Sequence, residues 1–176
     1  MKFPGDSTSW VVRSGDGGTF ALFVRDALGI STPTADAIPR LVPPVPRMTI
    51  AGPPGLARDW DRWWGGDAAE PAGIPEDQWD GLRRAYGRWA DFSSADSTER
   101  RDEVRREFSA SVQELVADLE QELGHRPVFE LEVLQVPVEG QFWRCLGRDK
   151  VLASEHLLAS RNVLAPLESV IRDLAR

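Results

Sequence analysis

Residues 127–154 read PVFELEVLQVPVEGQFWRCLGRDKVLAS, and in this stretch the side-chain period is two. Phe129, Leu131 and Val133 alternate with Glu130 and Glu132, the pattern of a strand with one buried face. Beyond them Leu134, Val136 and Val138 take over the apolar phase, which suggests a bulge. Glu139-Gly140 is a two-residue hairpin signal. Pro137 has no N–H to give a ladder and belongs at an edge or a bulge. Phe142–Leu146 returns, Gly147–Lys150 turns, and Val151–Ala153 makes a third strand. The expectation is a three-stranded antiparallel β-meander.

On either side of this stretch the period is that of a helix. Val104, Phe108, Val112, Leu115, Leu119 and Leu123 hold one stripe, closed by Gly124 and Pro127. Asp96 with Glu99 resembles a capping box ahead of it. Trp79, Leu82, Tyr86 and Trp89 mark an earlier helix ending near Ala90. Ser154 can cap a short turn after the strands, and Leu164, Leu167, Ile171 and Leu174 mark a last helix. Helices of this kind cover one face of a sheet. The expected fold class is therefore α+β: a three-stranded antiparallel β-meander covered on one face by amphipathic helices, in two layers, with a proline-rich N-terminal arm.

That arm occupies residues 1–70 and the α+β body residues 74–176, the two forming a single domain. Residues 29–55 carry seven prolines, which remove donors and block helix, so the segment is an extended connection. It also holds Ile38, Leu41, Val42, Val45, Met48 and Ile50, too apolar for a free linker, so it should lie against the body. Residues 10–28 admit two readings: a strand from Trp10 followed by a helix from Phe20 to Leu28, capped by Thr19 and ended by Gly29, or two strands joined by a loop. The helix is preferred. Leu56, Trp60, Trp63 and Trp64 fall on one side of a helix of about ten residues, a length that needs tertiary packing to persist. Packing is the simpler role for these tryptophans, and an exposed docking face is the alternative.

The 176 residues carry a net charge of -7, which disfavours general binding to nucleic acid or to an anionic membrane. One cysteine, Cys145, allows no internal disulfide and reads as a structural thiol. There is no run of 18 apolar residues and no apolar h-region near Met1, so the expected location is cytoplasmic.

Little in the chain points to chemistry. Ser14–Thr19, SGDGGT, is similar to the Gly-Gly-Asp-Gly-Thr loop of lipid and NAD kinases, but Ser14 replaces the first glycine, Gly18 is inserted before Thr19, and no Walker lysine follows. It reads as a glycine-rich turn. Glu130 and Glu132 share one side of a strand, where a buried pair could share a proton, although a solvated sheet face is the plainer account. His125 suits a helix C-terminus. No metal site and no cofactor is expected.

Two functions fit. One is a non-enzymatic protein-interaction module of adaptor, chaperone-like or inhibitor type, partnered by another protein. Its surface would draw on Trp60, Trp63 and Trp64 and on Glu114 and Asp118 of the long helix's acidic half. The other is a small-molecule-binding protein or enzyme with a pocket lined by Trp79, Trp89, Phe142, Trp143 and His156.

Overall fold

The computed structural model describes residues 2–4, 10–50, 52–66, 70–71, 73–94 and 97–175. The strands are β1 (Lys2–Pro4), β2 (Trp10–Asp16), β3 (Phe129–Val136), β4 (Trp143–Cys145) and β5 (Lys150–Ser154). The helices are α1 (Thr19–Leu28), α2 (Pro33–Asp36), α3 (Leu56–Trp64), α4 (Glu76–Ser94), α5 (Ser97–Leu123), α6 (Glu155–Leu158) and α7 (Leu164–Leu174), with a 3-10 turn at Arg161–Val163. The chain divides into two compact units. One joins residues 1–17 to residues 99–176; the other runs from Gly18 to Thr98.

The first unit holds the sheet, and the fold is α+β, but the sheet is not a three-stranded antiparallel meander. Its order is β1-β2-β3-β5-β4. β2 and β3 pair in parallel, as do β3 and β5, while β1 and β4 run antiparallel at the two edges. The hairpin expected at Glu139-Gly140 does not form, because β5 lies between β3 and β4. Burial explains the order. Val151, Leu152, Ala153 and Ser154 are all fully buried, as in a strand flanked on both edges and covered on both faces. β4 alternates less and is more exposed, as an edge strand is.

Ser154 secures this arrangement. Its hydroxyl donates to the Gly140 carbonyl and accepts from the N–H groups of Phe142 and Leu157. One buried side chain thus holds the β3–β4 connection and caps α6, as the sequence suggested for the cap.

The bulge read at Leu134 is also absent: β3 keeps an unbroken register with β2 from Trp10↔Phe129 to Asp16↔Gln135. The change of phase has another cause. Phe129, Leu131 and Val133 point to one face, whereas Val136 is buried on the other, beside Leu152. Along the strand the buried side chains pass from the first face to the second.

On the first face, Val12, Leu131, Val133, Val151 and Ala153 pack against Val104, Phe108, Val112, Leu115, Val116 and Leu119 of α5, and against Leu157, Leu158, Leu167 and Ile171 of α6 and α7. Leu123, expected to end the α5 stripe, is the last residue of the helix and is 40% exposed. The cap read at Asp96 lies outside the described residues.

The second unit is built around α1. Residues 10–28 adopt the strand-and-helix reading, although Gly18 rather than Thr19 precedes the helix, at φ 76°. Gly29 ends it at φ 70°, the left-handed conformation that favours glycine. The proline-rich segment wraps this helix. The connection expected to be extended contains the short helix α2, and because prolines have no N–H its remaining carbonyls draw on side-chain donors. Arg25 supplies three: its guanidinium donates to the carbonyls of Ala35, Ile38 and Pro39 while its Nε donates to Asp26. Asp26 in turn accepts from the N–H of Leu41 and from Arg40. Both members of this ion pair are buried. Farther on, the Trp89 indole donates to the Pro43 carbonyl at 2.9 Å, and the Met48 N–H donates to the Ala27 carbonyl at 2.8 Å.

Candidate functional site

α3 places its tryptophans unequally. Gly55 at φ 89° begins the helix and Gly65 ends it. Trp60 is fully buried, and its Nε1 donates to the Ala21 carbonyl at 2.7 Å. Burying an indole with its N–H satisfied is a packing role. Trp64 stacks on Trp60 with centroids 6.1 Å apart, and Trp63 meets Phe20 and Trp79 edge-on at 5.8 Å each. Trp63 and Trp64 stay half-buried. The cluster continues through Phe20, Phe23, Tyr86 and Trp89. The apolar ridge of α3 therefore belongs mostly to an aromatic core within its own unit.

The remaining candidates belong to both units. Glu114 and Asp118 are exposed on α5, with Glu114 3.8 Å from the Arg161 guanidinium. Of the aromatic pocket residues, Trp79 and Trp89 are buried in the second unit. Phe142, Trp143 and His156 belong to the first, where Phe142 and Trp143 are half-buried and His156 is exposed on α6. Cys145 lies exposed on the edge strand β4. The two strand carboxylates have separate cations: Glu130 lies 3.4 Å from Arg13 and Glu132 lies 2.9 Å from Lys150. Each is held by a cross-strand ion pair on an open face, an arrangement for sheet pairing rather than for sharing a proton. In the glycine-rich turn, Ser14, Asp16, Gly18 and Thr19 all have interaction partners. Among the described residues, no three His, Cys, Asp or Glu side chains converge to hold a metal ion, and no helix is long and apolar enough to cross a membrane.

One feature escapes the period-based reading of the sequence. From the anchor at Pro43 through the one at Met48, residues 44–48 form neither helix nor strand, and Pro44, Pro46 and Arg47 are exposed while Val45 and Met48 are half-buried. Val42, just ahead, is 39% exposed. The Arg47 guanidinium lies over Gly29 at the end of α1, and among the described residues it has no ion-pair partner. A signal existed in the composition: Val45 and Met48 stand three residues apart, the repeat of an extended proline-type helix. Among the described residues, four other large apolar side chains are exposed: Phe92 on α4, 75% exposed, Leu123 at the end of α5, Val128 in the α5–β3 connection, and Leu146 just after β4.

Comparison with known proteins finds nothing similar: no family model matches the chain, and neither does any curated protein or solved structure.

Proposed function

We propose that this chain is a non-enzymatic protein-interaction module, of the adaptor, chaperone-like or inhibitor kind, and that its partner is another protein. The observation that carries the reading is the strap at residues 43–48, tied at both ends by hydrogen bonds from Trp89 and to Ala27, with Pro44, Pro46 and Arg47 exposed between the two ties. Surface already fixed in one conformation loses little further entropy on association, so modest contacts suffice for binding. The half-buried Trp63 and the exposed acids Glu114 and Asp118 offer further contact sites of the kinds that anchor interfaces and set partner charge. The ligand-pocket alternative rests on side-chain type alone and has no comparable observation behind it.

The test is in-cell cross-linking of the full-length chain followed by affinity purification and mass spectrometry. One protein recovered in stoichiometric amount with the chain is the expected result. A chain that is recovered alone, and that elutes as a monomer at its expressed concentration, overturns the reading.

A further inference from the structure

We infer that the strap is the recognition element itself, and that it docks as a left-handed proline-type helix into an aromatic-lined groove carrying an acidic residue on its rim. This rests on the interaction reading above and names the chemistry of the partner. Proline fixes φ near −65°, close to the value of a helix with three residues per turn. With that repeat, Val45 and Met48 share one ridge, and both are half-buried. Pro44 falls on the second ridge, and so does Arg47; Pro46 falls on the third. All three are exposed. The strap thus uses one ridge to attach itself and shows the other two to solvent.

Grooves that read this conformation are built from parallel aromatic rings that straddle proline rings, and they use a carboxylate to set the direction of a flanking cation. The strap has the complementary set. Its prolines cannot donate, so no N–H is stranded in an apolar groove at positions 44 and 46. Arg47 follows directly and has no ion-pair partner among the described residues. The anchors at Pro43 and Met48 tie the span at both ends before binding, which lowers the ordering cost a free proline-rich peptide would incur.

The experiment titrates the purified full-length chain with two purified proline-reading modules, one SH3 domain and one WW domain, by isothermal calorimetry. The expected result is saturable binding by at least one of them. A P44A/P46A double variant should weaken it tenfold or more, and R47Q should weaken it less while lowering its salt dependence. Both variants alter exposed side chains and spare the Pro43 and Met48 anchors, so their thermal melts should match the parent's. E107Q, at an exposed position of α5 outside the contact sites named above, should bind as the parent does. If neither module binds, or if P44A/P46A binds undiminished, the proposal is overturned. When that happens while cross-linking still recovers a protein partner, the groove chemistry is wrong and the interaction reading stands. When no partner is recovered either, both fall.

Discussion

At the scale of single residues, Arg25 has the largest consequence. It is 1% exposed and serves three carbonyls and one carboxylate. Arg25→Met keeps much of the volume but takes the side-chain donor from the Ile38 and Pro39 carbonyls and leaves Asp26 with only Arg40 and the Leu41 N–H, and removing one member of a buried pair costs about 3–5 kcal/mol. A urea melt of this variant should show a loss of that order, and a loss under 1 kcal/mol would contradict the clamp. Asp26 carries a pH signature. Burial is the largest influence on its carboxyl and pushes the pKa up, but the hydrogen bonds from Arg25, the Leu41 N–H and Arg40 together hold it below the ordinary 3.8. A folded-state value below the unfolded one means the stabilisation is present above the unfolded pKa and is lost as pH falls through the folded one. Asp26→Asn should therefore be less stable at neutral pH and show a flatter acid limb in stability measured from pH 7 down to pH 2. None of this was legible locally. Arg25 follows the apolar face of α1 in the sequence and looks like a solvated side chain; only the donor-poor arm, ten and more residues on, creates its partners.

At the scale of elements, the helices were legible and the strand order was not. The α5 stripe repeats at three and four residues, and the side chains it names from Val104 to Leu119 are those packed on the sheet. Leu115→Ala should cost about 2–5 kcal/mol, since it empties a packed site, whereas Leu123→Ala at the exposed end should be nearly neutral; thermal melts of the two variants compare them directly. A period of two, by contrast, says which residues face the core but nothing about which strand lies alongside. The clue was present in β5, whose Val151–Ala153 lacks polar alternation and so asks for cover on both faces. The β2–β3 pairing was harder to foresee, because parallel strands need a long crossover and no short-range signal announces one. Among candidate site residues, Trp60 was readable as core from its helix face, while the exposed strap depended on where the anchors fell.

At the scale of the whole molecule, the sheet unit is discontinuous in sequence, with the unit from Gly18 to Thr98 inserted between β2 and α5. β2 supplies Val12 to the core and covers one edge of β3. Residues 99–176 produced alone should therefore lack a cooperative thermal transition by circular dichroism, and sharp unfolding of that fragment would show that the first strands are dispensable.

The parallel pairing of β2 with β3 also sets a timetable for synthesis. Arg13 and Glu130 meet across 117 positions. Ribosomes extend a chain at about 5–20 residues per second, so β2 leaves the exit tunnel roughly 6–25 s before its neighbour. Through that interval its unpaired edge is open to any extended segment nearby. Codon choice or a chaperone that shortens the wait should raise the yield of correctly folded protein, even though neither changes the stability of the finished fold.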